Sequence, residues 1–369
     1  MTGDRVRRPD AAIAARLIAT THSSLGMKLI SRGVPSYASS GTASSANDGS
    51  YDSYWRSSGV PATLAYDLSS VPAGNRQSIY LVWYCDPTYG YDHALVGQPG
   101  YNNIGSYTIE ANKAAGGGSP PSFGWVTLAT VSSNVLHSRD HVLQFSGYNW
   151  VRINVSASDG SPGNSDVAAN MDIYDASGGV TDGWLFVGDS ITASGMGHTS
   201  LSVSSDSFTN QVGDLTGVYP AQENAGMPGW TATNMIPYLS TWLRSFNGKY
   251  VTINLGTNDA AGGVAPGIFY ANMSTLIKAV LSAGKIPVVP TIPWSRDPIH
   301  AANIPGLNAQ IKNLYRAYPS VIPGPDLYAF LNANRNYISS DNVHPTAAGY
   351  AAIRTLWATV AAKSVYGMQ

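Results

Sequence analysis

The sequence predicts two domains of different class: a β-sandwich, then a three-layer α/β domain around a parallel sheet. Three observations predict it. The chain has 369 residues, enough for two domains at roughly 150 residues each. Composition is 44% hydrophobic against 12% charged, which allows two buried cores and excludes a disordered chain. The hydrophobic pattern also changes after the small-residue stretch DASGGVTDG (175–183), from short alternating runs to strands alternating with helical stretches.

In the first half the runs LAYDL (64–68), IYLVWYC (79–85), SYTIEAN (106–112), WVTLATV (125–131) and WVRINVS (150–156) are bounded by Gly, Pro, Ser and Asn. Those are strand signals, with no long helix among them. Two long connections stand out, a Tyr-rich loop over 86–105 and a Gly/Ser/Pro stretch over 116–122. Loops of that length in a compact domain usually carry function or are disordered. In the second half WLFVGDS, YVTINLGTND and KIPVVPTIPW alternate with helical periodicity over Thr231–Phe246, Pro266–Ala283, Ala301–Tyr318 and Thr346–Ser364. Strand and helix in alternation imply a parallel sheet covered on both faces. The expected division is a helical segment over 1–26, the β-sandwich over 27–177, a linker over 178–183 and the α/β domain over 184–369.

Composition excludes further classes. Basic and acidic residues number 11 and 13 up to Thr181, then 10 and 9, so no basic excess exists for a nucleic-acid groove. The single cysteine, Cys85, excludes an intramolecular disulfide framework and a thiolate zinc cluster. No window reaches ~18 uninterrupted apolar residues, so no membrane span is expected. His137 and His141 have H-x-x-x-H spacing, but in a β-rich region they do not share a helical face, and no metal is expected there. Polarity comes from Ser, Thr, Asn, Gly and Tyr, with only two glutamates, Glu110 and Glu223. That composition suggests an extracellular or secreted protein handling neutral, hydroxylated ligands. The N-terminus makes a poor secretion signal, because Arg16 interrupts the apolar stretch from Ala11 to Ala19.

In parallel α/β sheets the chemistry sits beyond the C-terminal strand ends. Those ends carry Gly188-Asp189-Ser190 and Gly256-Thr257-Asn258-Asp259, and the last helix is preceded by Asp341-Asn342-Val343-His344-Pro345. A serine hydroxyl is a weak nucleophile until an imidazole takes its proton, and the imidazole needs a carboxylate to orient it. Asp341 and His344, three residues apart in one turn, can meet without help from the rest of the fold, and His344 can then serve Ser190. An oxyanion would need donors. The Ser190 amide, the Gly229 amide ahead of a helix and the Asn258 side chain are the candidates. Asp189 and Asp259 are expected to hold the geometry of their segments, and Glu223 to be a loop or strand-edge residue. Trp230 and Trp294 follow these segments and are candidate acyl or sugar contacts; His198 is expected in a solvated loop.

Those segments, Gly188-Asp189-Ser190-Ile191, Asn224 through Gly229 and Thr231, Gly256-Thr257-Asn258-Asp259 and Asp341 through Pro345, occur in an order that resembles the SGNH, or GDSL, hydrolase family. Ile191 stands where that family often has Leu. The resemblance covers about half of the chain and implies a flavodoxin-like sheet and a serine esterase. It makes Ser190, Asp341 and His344 the catalytic triad and Ser190, Gly229 and Asn258 the oxyanion hole, with no catalytic cofactor. No G-x-S-x-G elbow occurs, which disfavours the α/β-hydrolase fold.

The first half, through Ala46-Asn47-Asp48-Gly49, Ser53, Trp55, LAYDL, SYTIEAN, WVRINV and Met171-Asp172-Ile173-Tyr174, resembles the discoidin or coagulation-factor type C module. That resemblance implies a galactose-binding-like jelly roll, often a carbohydrate-binding module. It makes Tyr89, Tyr91 and Tyr101, beside His93, candidate sugar contacts, and Asp48 the candidate ligand of a structural calcium, although the closing acidic position is Asn170. The pairing predicts deacetylation of a polysaccharide such as acetylxylan, by an α/β domain able to act on small esters without its module. The rival within the fold is a lipase, thioesterase or phospholipase for longer acyl chains. The rival outside it is a non-catalytic carbohydrate-binding protein.

Overall fold

The computed structural model describes residues 26–85, 95, 103–159, 166–196 and 207–368. The N-terminal helical segment, apart from Gly26, lies outside the described residues, as do Tyr89, Tyr91, His93, Tyr101 and His198.

The described first half is built from β1 (Lys28–Leu29), β2 (Ser36–Ala38), β3 (Trp55–Arg56), β4 (Ala62–Asp67), β5 (Ser78–Cys85), β6 (Ile104–Asn112), β7 (Val126–Val131), β8 (Ser138–Gln144), β9 (Trp150–Ser158) and β10 (Ala168–Asp175). They pair antiparallel into two sheets, one ordered β1-β10-β5-β8 with β3 also on β10, the other β2-β4-β9-β6-β7. Because successive strand residues face opposite ways, Ile79, Leu81 and Trp83 of β5 and Met171 and Ile173 of β10 meet Leu64 and Tyr66 of β4 and Ile153 and Val155 of β9 in one core.

The second half is a five-stranded parallel sheet ordered β12-β11-β13-β14-β15, with β11 (Gly183–Gly188), β12 (Ala221–Gly226), β13 (Tyr250–Asn254), β14 (Ile286–Val289) and β15 (Ile322–Pro323). Its helices are α1 (Ser190–Gly195), α2 (Phe208–Thr216), α3 (Ala232–Met235), α4 (Leu239–Ser245), α5 (Thr257–Ala261), α6 (Pro266–Ser282), α7 (Pro298–Ala317), α8 (Leu327–Ala333) and α9 (Ala347–Ser364). Leu185 and Val187 point to the layer with α3, α4, α6 and α7, whereas Trp184 and Phe186 point to the layer with α2, α8 and α9. The helix expected over Thr231–Phe246 is divided into α3 and α4 around Pro237, which has no N–H to continue the ladder.

The two halves share a buried face. β5 and β10 are covered on both sides: Tyr80, Val82, Tyr84 and Tyr174 turn away from the sandwich core and pack on Ala221 at the start of β12. The Tyr174 hydroxyl donates to the Pro220 carbonyl at 3.3 Å, and the Gln222 N–H donates to the Tyr84 hydroxyl at 3.4 Å. Asp140 of β8 accepts from the Tyr80 hydroxyl and, at 2.9 Å, from the Asn247 N–H. It also meets Glu223 of β12. Burial raises the Asp140 pKa, against the hydrogen bonds from Tyr80 and Asn247 that oppose the rise. The sandwich thus caps the edge strand of the parallel sheet, which would otherwise present unpaired backbone groups. The expectation of a separable α/β domain meets this face: without the sandwich, β12 and Glu223 would be stripped of their cover.

Where the chain passes between the halves, Asp182 is fully buried and accepts the Met27 N–H at 3.0 Å. Burial pushes its pKa up to about 8. Burial likewise raises Asp189 to about 6, against the opposing hydrogen bond from the Ile191 N–H. An acid whose pKa rises on folding stabilises the fold fully below its ordinary value of 3.8 and loses that contribution as pH climbs through the raised value. The thermal unfolding midpoint should therefore decline as pH rises from about 4 to about 8, and Asp182→Asn should flatten the upper part of that decline. A flat wild-type profile across this window contradicts the assignment.

Candidate active site

The site forms where β11, β12 and β13 end together. Asp189, directly after β11, is the N-cap of α1, and its carboxylate accepts the Ile191 N–H at 2.9 Å. That places Ser190 at the first residue of a helix, where its own N–H lies outside the i→i−4 ladder. Neighbouring side chains fix α1: Asn254 donates to the Thr192 hydroxyl at 3.0 Å, and Asn224 donates to the Ala193 carbonyl at 3.1 Å.

Ser190 and His344 are 154 residues apart in sequence, yet Ser190 Oγ lies 2.8 Å from His344 Nε2. His344 Nδ1 lies 2.7 Å from Asp341 Oδ2. The other carboxylate oxygen, Oδ1, accepts the Val343 N–H and the His344 N–H at 2.9 Å each and the Ser339 hydroxyl at 2.7 Å. Burial alone would raise the Asp341 pKa, but these hydrogen bonds outweigh it and hold the carboxyl well below its usual range. An ionised Asp341 can only accept, so His344 Nδ1 carries the hydrogen. In the neutral ring Nε2 is then free to accept from Ser190.

The donors gather on the adjoining turn. The Met227 N–H donates to the Gly188 carbonyl at 2.9 Å and the Trp230 N–H closes back on the Met227 carbonyl at 3.2 Å, which ties the turn to the end of β11. Gly229 sits in this turn at φ +78, a backbone region that carries little penalty only for glycine. Its N–H has no hydrogen-bond partner among the described residues. Asn258 Nδ2 donates one hydrogen to the Trp230 carbonyl at 3.0 Å, which orients the amide and leaves its second hydrogen available. Asp259, fully buried, accepts the Ala232 N–H at 3.0 Å and so joins α5 to the start of α3. Thr231 and Asn234 cap α3 reciprocally. Both aspartates therefore hold segment geometry, as expected of them.

The remaining candidates are dispersed. Trp230 is half-buried, with ring centroids 5.0 Å from Tyr238 and 6.4 Å from Trp242. Trp294 is only 9% exposed, lies in the α8–α9 layer and is covered by the Arg335 guanidinium 4.6 Å from its ring centroid. Glu223 lies on the edge strand, beneath the sandwich. His141 Nε2 is 2.8 Å from the Tyr107 hydroxyl, and burial pushes its pKa down to about 3. The two oxygens of Asp48 accept from the Ser50 N–H and the Ser53 hydroxyl. Among the described residues no group of three or more His, Cys, Asp or Glu converges on one point. Ser339 and the left-handed Asn342 (φ +70) were not singled out by sequence. Their proximity to Asp341 within one short segment was the available signal.

Residues 186–352 match the family described as GDSL-like Lipase/Acylhydrolase. The C-terminal half is a GDSL hydrolase domain. The protein is accordingly an ester-cleaving hydrolase, and the expected parallel-sheet fold of this half stands. Among solved structures, the chain is similar to a lipase/acylhydrolase from Enterococcus faecalis, at 22% identity and TM-score 0.42, over 51% of this chain and 99% of that one. It is also similar to an acetylxylan esterase from Geobacillus stearothermophilus, at 18% identity and TM-score 0.40, over 52% and 96%. A third similarity is to a chitosan-binding module from a Paenibacillus sp. IK-5 chitosanase/glucanase, at 21% identity and TM-score 0.29, over 40% and 98%. No match was found among curated proteins.

Forcing an L-residue into the left-handed region costs about 1–2 kcal/mol. No atom lies within 4 Å of a Cβ built on Gly229, so Gly229→Ala should act through the backbone alone. The expected outcome is a lower kcat on a small ester with at most a small drop in unfolding temperature. Unchanged kcat would mean that the Gly229 N–H is not used.

Proposed function

We propose that the GDSL hydrolase domain is a serine esterase that cleaves short-chain acyl esters through an acyl-enzyme. The observation that carries this reading is the unbroken line of hydrogen bonds from Ser190 Oγ through His344 to Asp341. Ser190 Oγ attacks the ester carbonyl carbon while its proton passes to His344 Nε2, and Asp341 steadies the imidazolium. The N–H groups of Ser190 and Gly229 and the free hydrogen of Asn258 Nδ2 receive the oxyanion. His344 then protonates the leaving alcohol, and water repeats the cycle in reverse roles to release the acid.

Acetylated polysaccharide, such as acetylxylan, is the proposed natural substrate class. Supporting it are a nearly neutral composition rich in hydroxyl and amide side chains and the sandwich docked beside the strand that leads into the Gly229 turn. An extracellular setting follows from the same reading.

A burst of product from a chromogenic acetate should precede the steady state in the wild type, and Ser190→Ala should abolish both phases. Undiminished turnover in that variant rejects the mechanism. Asn258→Ala should lower kcat by ~10²–10³, the usual loss for one oxyanion donor. In a chain-length series, acetate should lead; preference for acyl groups beyond about eight carbons would instead assign the longer-chain rival.

A further inference from the structure

The turn carrying Asp341 and His344 is gripped from outside by a segment that none of the four motifs contains. Beyond β14 the chain runs through Trp294-Ser295-Arg296-Asp297 into α7, and three consecutive residues there converge on one atom. The Ser295 hydroxyl donates to the Asn342 carbonyl oxygen at 2.7 Å, the Arg296 N–H at 2.9 Å and the Asp297 N–H at 3.3 Å. The Asp297 N–H also reaches the Ser295 hydroxyl at 3.0 Å. Ser295 is 2% exposed, so water does not compete freely for this contact.

The peptide unit that receives these donors is the one that matters for Asp341. Its carbonyl belongs to Asn342 and its N–H belongs to Val343, and that N–H donates to Asp341 Oδ1 at 2.9 Å. Peptide planarity couples the two ends: fixing where the carbonyl points fixes where the N–H points. Asn342 is one of two non-glycine residues with positive φ among the described residues. Such a conformation persists where its surroundings over-determine it. Hydrogen bonds in series also polarise one another, so donors on the carbonyl strengthen the N–H on the carboxylate.

We infer that Ser295 is a positioning residue for the hydrolysis. Together with the Arg296 and Asp297 amides it locks the 342–343 peptide, which orients the Asp341 carboxylate, which in turn orients His344 toward Ser190. The inference rests on the esterase reading above and adds to it the element that sets the triad's geometry.

The test is a double-mutant cycle on a soluble acetate ester, with Ser295→Ala, Asp341→Asn, their combination, and Ser190→Ala in parallel. Ser295→Ala should lower kcat by about three- to tenfold, the range for losing one hydrogen bond of ordinary strength, with KM within twofold. Because Ser295 acts through Asp341, the same substitution should change kcat by less than about twofold in the Asp341→Asn background. A single-variant loss below about threefold, a change carried by KM, or an equal loss in both backgrounds overturns the inference. A fully active Ser190→Ala enzyme overturns the esterase reading itself, and the inference with it, so the two failures are told apart by which variant retains activity.

Discussion

The contact of Ser190 Oγ with His344 Nε2 demands that the first strand of the parallel sheet and the turn before its last helix arrive at one place. Nearly every feature of the second half serves that meeting. The sheet order β12-β11-β13-β14-β15 puts the ends of β11 and β13 side by side, which brings Ser190 and Asn258 to the same rim. β12, on the other side of β11, delivers the turn with Gly229. The imidazole comes last, from a turn held by its own carboxylate and by the loop beyond β14. Ser190, Gly229 and Asn258 follow strand ends, where the backbone geometry is rigid, and His344 is held by the short turn before the last helix.

Charge at this rim is divided by environment. Asp341 is partly exposed and surrounded by donors, so it stays ionised and can orient an imidazole. Asp189 and Asp259 are buried nearby with fewer donors, and burial pushes their pKa values up. Three carboxyl groups close to one serine therefore take different parts: one supplies lasting negative charge, and the other two cap and join helices.

The sandwich is more than an appendage to the hydrolase domain. Its first sheet has two apolar faces, one for its own core and one for β12; on the second, the Tyr174 hydroxyl reaches the Pro220 carbonyl, and the Tyr80 hydroxyl donates to Asp140 of the same sheet, which in turn accepts the Asn247 N–H. The strand so covered leads directly into the turn bearing Gly229. A mechanical link thus runs from the sandwich to one wall of the site. This double burial was visible in IYLVWYC, a continuous apolar run where a half-exposed strand would alternate, although its meaning depends on knowing what lies on the second face.

Much of the hydrolase domain was legible because its signals are local. Apolar runs ending in Gly-Asp-Ser and Gly-Thr-Asn-Asp mark strand ends, and Asp-x-x-His closes within one turn, so the bond from Asp341 to His344 needs only four residues. The division of the 231–246 stretch turned on Pro237, where sidedness outweighed a single missing N–H in the sequence pattern. What local sequence cannot encode is distance across the fold. That Ser295 reaches Asn342, that Glu223 meets Asp140, and that Trp294 is packed beneath Arg335 follow from how strands are ordered and helices laid over them. The sequence by itself determined the chemical groups, their order and the period of each element, because these depend on neighbours along the chain. The tertiary structure alone decided which groups touch, because contact between residues a hundred positions apart is set by the packing of whole layers.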